Sequence, residues 1–175
     1  MHSKINIFWF RRDLRLHDNV GLLHALKSEH PVLPIFIFDT EILEKLPKND
    51  ARVTFIHKTL QELRSQLQKT ANSSLAMFYG SPKEILSSLT QRYKVQTVCT
   101  NHDYEPYAEK RDAEIKDFLL SKDITFKTFK DQVIFEKNEV IKEDGQPYVV
   151  YTPYKNKWKA CFNPEMDLKL SLIHI

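Results

Sequence analysis

Ile5-Asn6-Ile7-Phe8-Trp9-Phe10 is the stretch that decides the fold. Its apolar residues all favour extended backbone and only Asn6 interrupts them. A run this short and this uniformly apolar fits a strand covered on both faces, as in a parallel sheet with helices above and below it. The chain then turns abruptly polar, with Arg11, Arg12, Asp13, Arg15 and Asp18 following at once. A core strand that empties straight into a charged loop places that loop over a cleft.

Working outward, Asp18 or Asn19 can cap a helix whose apolar positions, Val20 to Leu26, lead to about Glu29. A second strand follows at Val32 to Phe38 with its core at Ile35 to Phe38, and Pro34, having no N–H to donate, belongs near the strand's start or at an unpaired position. Val53, Ile56, Leu60, Leu63 and Leu67 recur at helical spacing and predict a long helix. Leu75 to Tyr79 reads as a third strand. Ser81, Pro82 and Glu84 then resemble an N-cap, a first-turn proline and the acid of a capping box. Val95 to Thr100 is the fourth strand, a helix runs from Tyr104 or Pro106 to Ser121, and Ile124 to Phe129 is the fifth strand. Strand and helix alternating in this way predict an α/β fold: an open five-stranded parallel sheet, Rossmann-like, with helices on both faces. Residues 1–130 form this unit, and 131–175 read as an irregular extension leading into a linker. Within it, Asp144-Gly145 suggests a hairpin between Val140-Ile141 and Tyr148-Val150, and helical character returns from Pro153 to Cys161.

Composition narrows the function classes. The chain has 175 residues and 42% hydrophobic content, enough for one domain with a sizeable core. Its 26 basic and 23 acidic residues nearly balance, which gives no electrostatic warrant for nucleic-acid binding by this chain alone. Two cysteines, no CxxC pair and no HExxH spacing argue against zinc and against a disulfide framework. No apolar run approaches the length of a membrane span, and no secretory leader is recognisable, so a cytoplasmic location is expected. With only three glycines, Gly21, Gly80 and Gly145, neither GxGxxG nor GxxxxGK[ST] can be written, and no GxSxG elbow exists.

In a sheet of this kind, ligands bind beyond the carboxyl ends of the strands, near the point where strand order reverses. Three loops converge there: Arg11 to Asp18, Asp39 to Asn49 and Asn101 to Pro106, with Arg52 opening toward the same edge. The candidate site residues are Arg11, Asp13, Asp39, Arg52, Asp103 and Glu105, accompanied by Arg12 and Glu41. Both signs of charge in one cleft suit a polar planar ligand better than a bare polyphosphate.

The run Phe8-Trp9-Phe10-Arg11-Arg12-Asp13-Leu14-Arg15-Leu16-His17-Asp18-Asn19 resembles the opening signature of the DNA photolyase and cryptochrome family. Val32-Leu33-Pro34-Ile35-Phe36-Ile37-Phe38-Asp39, Asp103-Tyr104-Glu105-Pro106-Tyr107-Ala108-Glu109-Lys110-Arg111-Asp112 and Tyr151-Thr152-Pro153-Tyr154-Lys155-Asn156-Lys157-Trp158 agree with it in order and spacing. The resemblance implies that family's N-terminal domain, which holds a light-harvesting chromophore facing a larger helical domain. That second domain, which binds FAD and damaged DNA, is not expected within a chain ending at Ile175, so a fragment inactive by itself is expected. No catalytic residue is therefore expected here. The implied parent is a deoxyribodipyrimidine photolyase, a carbon–carbon lyase that uses light to split pyrimidine dimers; the alternative is a cryptochrome that signals through partners. A more distant reading is a free-standing nucleotide-binding domain.

The resemblance also bears on the chromophore. Family members that hold methenyltetrahydrofolate use a His before the long helix and an Asn-Glu pair at the start of the fourth helix. Those positions fall on Leu46 and on Tyr107-Ala108 here. Members that hold a deazaflavin use an Arg in the first turn of the long helix and an Asp ahead of Glu-Pro-Tyr, which Arg52 and Asp103 match. A deazaflavin or FMN is thus expected over methenyltetrahydrofolate.

Blander roles stand beside these. Arg52 and Asp103 could simply bridge two loops, Asp13 could shape its own loop, and Asp39 and Glu105 could be helix-start acids. His17 reads as a structural residue and Trp9 as core. Tyr151, Tyr154 and Trp158 interleave with lysines, as in single-strand binders, but read better as the surface that packs on the second domain. The apolar end from Leu170 to Ile175 adds an expectation of self-association.

Overall fold

The computed structural model describes residues 4–168, so the C-terminal apolar stretch from Leu170 lies outside the described residues. Five strands form the sheet: β1 (Ile5–Phe10), β2 (Val32–Asp39), β3 (Ala76–Gly80), β4 (Val95–Asn101) and β5 (Thr125–Phe129). Every neighbouring pair is parallel, and the order is β3-β2-β1-β4-β5. The chain winds outward from β1 in one direction, then crosses back to β4 and continues in the other. Sequence order therefore reverses between β1 and β4.

The connecting helices are α1 (Val20–Leu26), the short α2 (Thr40–Leu43), α3 (Ala51–Ala71), α4 (Pro82–Arg92) and α5 (Pro106–Leu120). Period two along β1 sends Phe8 and Phe10 to one face and Ile7 and Trp9 to the other. The first pair packs with Leu22 and Ala25 of α1 and Leu60, Leu63 and Leu67 of α3. The second pair packs with Leu86 and Leu89 of α4 and Ile115 and Leu119 of α5. The expected five-stranded parallel sheet covered on both faces is what forms.

Pro34 is accommodated by parity. The Asn6 amide donates to the Pro31 carbonyl at 2.8 Å, so odd-numbered residues of β2 bond toward β1 and the Pro34 nitrogen faces the other edge. There β3 begins pairing only at Ile35 with Ala76, so the missing donor interrupts no ladder bond.

Several boundaries differ from expectation. Asn19 is the N-cap of α1, accepting from the Leu22 amide, and the helix ends at Leu26 rather than near Glu29. Ser81 occupies the N-cap position with Pro82 in the first turn, but no side-chain capping bond forms, so the expected capping box is absent. Helix α2 was not legible, since four residues are too few to show a period. Asp144-Gly145 does turn the chain, with Gly145 at φ 79° and its amide bonded to the Lys142 carbonyl, yet no strand pair flanks it. The extension instead holds a 3₁₀ turn (Lys137–Glu139), α6 (Tyr151–Cys161) and α7 (Pro164–Asp167).

A polar tie through Asn101 fixes the end of β4. Asn101, at the end of β4, accepts from the Gly21 amide at 2.9 Å and donates to Asp13 at 2.6 Å and to Asn19 at 2.9 Å. A Cβ on Gly21 would lie 2.5 Å from Asn101 Oδ1 and 2.9 Å from the Phe8 ring, so only glycine lets α1 approach β4 this closely. Asn101→Ala would leave the Gly21 amide and the Asp13 carboxylate short of partners in a buried setting. A loss of about 2–3 kcal/mol is expected, read as a lower urea midpoint with an unchanged m-value.

Candidate functional site: a cleft over the carboxyl ends of β1 and β2

Where β1 ends, the charged loop begins before the chain has left the core. Arg11 continues the face that carries Trp9, and only 7% of its side chain is exposed. Its Nη1 donates to Asp112 Oδ2 at 2.8 Å, and Asp112 Oδ1 accepts from Arg111 Nε at 3.1 Å. One carboxylate from α5 therefore joins two nearly buried guanidinium groups. Burial and the neighbouring Arg111 cation hold the Arg11 pKa below its ordinary value, against the opposing pull of Asp112. Arg111 Nη1 also lies 3.9 Å from Asp39.

Asp39 closes β2 and caps α2, accepting from the Glu41 amide at 3.1 Å and from the Tyr107 hydroxyl at 2.6 Å. Burial and this bond to a carboxylate push the Tyr107 phenol well above its usual range, so it is a fixed hydroxyl donor.

These elements surround a cleft of about 340 Å³. Phe36, Phe38, Leu43, Leu46, Val53 and Ile56 supply an apolar wall from β2, α2, the segment after α2, and α3. Arg11, Arg12, Arg52, Asp103, Glu105 and Arg111 supply the polar side, and Trp9 and Asp39 close the base. The cleft lies over β1 and β2, with the loop after β4 as one wall. The reversal point between β1 and β4 holds a smaller cavity of about 190 Å³, shaped by Arg12, Arg15, Asn101, His102 and Asp131 among others. Arg12 separates the two, bonded to Glu105 at 2.9 Å and 3.5 Å from Asp103.

Of the six residues singled out from sequence, Arg11, Asp39, Arg52, Asp103 and Glu105 line this cleft together. Asp13 does not. It borders the smaller cavity instead, and its carboxylate accepts from the Arg11 amide, Asn19 and Asn101, bonds that shape the loop. Arg15 turns elsewhere, to Asp131 at 2.9 Å. The simple bridge between Arg52 and Asp103 is not formed. Arg52 folds back on the N-cap of its own helix, Asp50, at 2.6 Å, which lowers the Asp50 pKa to about 2 and raises that of Arg52. Its side chain is 70% exposed at the edge of the cleft. Asp50 and Asn101 escaped sequence reasoning, as did Arg111 and Asp112; an isolated Arg-Asp pair inside a helical run looks like solvated surface until the helix is docked.

Leu46, at the position where a folate-binding pattern calls for His, lies in the cleft wall. Tyr107 is committed to Asp39 and Ala108 is buried, so neither residue of the expected Asn-Glu pair is present. Among the described residues there is no cluster of His, Cys, Asp and Glu suited to a metal ion, and no helix long and apolar enough to cross a membrane.

With this geometry established, comparison with known proteins is decisive about kinship. A sequence model of the DNA photolyase family matches residues 6–170. A deoxyribodipyrimidine photo-lyase of Synechococcus sp. is 34% identical over 154 residues, 88% of this chain and 32% of the relative. The solved structure of a class III photolyase from Agrobacterium tumefaciens aligns with TM-score 0.79 at 32% identity, covering 92% of this chain and 32% of that one. An archaeal photolyase from Sulfolobus tokodaii, solved with two FAD molecules and described as implying a novel light-harvesting cofactor, aligns with TM-score 0.71 at 35% identity, over 78% of this chain and 32% of that one. The chain belongs to the DNA photolyase family. It spans about a third of the length of the curated photolyases it matches.

The shared carboxylate of Asp112 gives a direct test of the site's foundation. Asp112→Asn keeps the volume but removes the charge between two buried cations, and a loss of about 3 kcal/mol or more is expected in chemical denaturation. An exposed ion pair such as Lys45 with Glu41 should change stability by less than about 1 kcal/mol on the same substitution.

Proposed function

We propose that this domain is the light-harvesting part of a deoxyribodipyrimidine photolyase and that the cleft over β1 and β2 holds a flavin-type chromophore, a deazaflavin or FMN. The observation that carries this is the two-sided cleft itself. About 340 Å³ is within the usual range for a small-molecule site, and its aromatic and aliphatic wall faces a rim of cations and carboxylates. A tricyclic ring with one apolar edge and one edge of carbonyl and N–H groups satisfies both sides at once. Arg52 and Arg12 can donate to ring carbonyls, and Asp103 and Glu105 can accept from a ring N–H. A methenyltetrahydrofolate is disfavoured because Leu46, Tyr107 and Ala108 stand where the folate pattern has a His and an Asn-Glu pair, and the Tyr107 hydroxyl is already committed to Asp39.

In this reading the chain's own residues bind and orient the chromophore and exclude water from it. The chromophore supplies the absorption of near-ultraviolet or blue light. Passing excitation to FAD, and repairing pyrimidine dimers in damaged DNA, belong to the whole photolyase and are proposed for the parent protein only. The surface around α6, where Tyr151 is 74% exposed, is proposed as the side that meets the FAD-binding domain.

Titration of this chain with a deazaflavin, FMN and methenyltetrahydrofolate, followed by absorbance and fluorescence, tests the proposal. Saturable binding of a flavin-type ligand is expected, weakened about tenfold, or about 1.4 kcal/mol, by Asp103→Ala and also by Arg52→Ala. Preferential binding of the folate, or flavin binding indifferent to both substitutions, contradicts it.

A further inference from the structure

At the base of the cleft, two cations lie against the Trp9 ring. Arg11 Cζ lies 4.4 Å from the indole centroid and Arg111 Cζ lies 4.9 Å from it. Trp9 is 2% exposed, and both guanidinium groups are more than nine-tenths buried. Hydrogen bonding alone does not explain this arrangement. Arg11 Nε, Arg11 Nη2 and Arg111 Nη2 find no hydrogen-bond partner among the described residues, although buried N–H groups nearly always have one. The indole π-system is the electron-rich group in contact with these cations, and it stands in for the missing acceptors. Asp112 and Asp39 offset the two charges, but they meet the guanidinium rims, whereas the cations themselves lie against the ring.

A tryptophan beside a photoexcited flavin ordinarily loses an electron to it. The electron passes from indole to the excited ring, leaves an indole radical cation and returns in the dark, and the excitation is lost as heat. An antenna requires the opposite outcome. Two fixed positive charges within 5 Å stabilise the neutral indole through its quadrupole and oppose a positive charge on the same ring. Guanidinium groups suit this task because they remain protonated even when desolvated and stack flat on an aromatic face. Arg111 lies over Tyr107 as well, at 5.5 Å.

We infer that Arg11 and Arg111 shield Trp9 from oxidation by the excited chromophore, so that an indole can line the cleft without quenching what is bound there. This rests on the flavin-type reading of the cleft. Both arginines act through Trp9 and are positioning residues.

The test uses FMN as the probe and Arg111→Gln, which keeps N–H donors but removes the charge. With the bound fraction fixed by titration, the emission lifetime of bound FMN is expected to fall severalfold in Arg111→Gln and to recover when Trp9→Phe is added. A lifetime unchanged by Arg111→Gln, or a shortening that survives Trp9→Phe, overturns the inference. A second arm needs no bound chromophore. Under illumination with free riboflavin in aerated buffer, dissolved oxygen reoxidises the reduced flavin and adds to the oxidised indole, and mass spectrometry locates the adducts. Trp158, the only other tryptophan, serves as internal control. Adducts are expected at Trp158 alone in the wild type and at both residues in Arg111→Gln. A variant oxidised at Trp158 but not at Trp9 overturns the shielding. Failure of FMN to bind the wild type would defeat the flavin reading, while the riboflavin arm would still decide this one.

Discussion

The Asp112 carboxylate between Arg11 and Arg111 is the interaction on which the site depends. Strand β1 is covered on both faces, so it cannot turn polar gradually at its end; the first residue of its loop carries a charge while still enclosed. Burying a guanidinium costs several kcal/mol unless a carboxylate and further donors and acceptors meet it. Helix α5 supplies that carboxylate, together with a second arginine that would itself be costly without Asp112 and Asp39. The charge cluster and the docking of α5 against β1 therefore require one another. The Asn101 tie completes the frame by joining the end of β4 to α1 and to the Asp13 loop. The loops that follow β1, β2 and β4 begin at or beside these fixed points.

The cleft's two-sidedness follows from where those fixed points lie. Strand β2 ends in an alternation that sends Phe36 and Phe38 toward the α3 face, and the short α2 and the start of α3 extend that apolar wall. Strand β1 and α5 bring their charges to the opposite side. The separation of apolar wall from charged rim is thus a product of sheet parity and of a buried ion cluster. Kinship with photolyases of known structure places the fold beyond doubt, and this segregation is what gives the cleft a chemical character of its own.

Much of the fold was readable because hydrophobic period reports burial directly. The two-face burial of β1, the long repeat from Val53 to Leu67 and the alternation of strands and helices each leave a local signature. The site was readable as a set of loops, since parallel strands must end on one edge, but less so as a set of contacts. Asp13 and Asp103 look alike in sequence, each an acid in a charged loop. One is consumed by Asn19 and Asn101, whose side chains arrive from other elements, and the other stays at the cleft wall. Arg111 and Asp112 carry no local sign of burial, because it depends on where α5 docks, which no local pattern encodes. The hairpin expected around Gly145 failed for a related reason: a turn signal does not supply a neighbouring sheet edge for the flanking residues to join.

The central claim, that this cleft receives a flat tricyclic chromophore with its polar edge toward Asp103 and Arg52, is tested most directly by a crystal structure of the chain grown with a saturating deazaflavin. The account predicts ring density against Phe36, Phe38 and Leu46, with Arg52 released from Asp50 and turned to the ligand. Density for the ring at another surface, or a cleft left unchanged while the ligand is demonstrably bound, would contradict it.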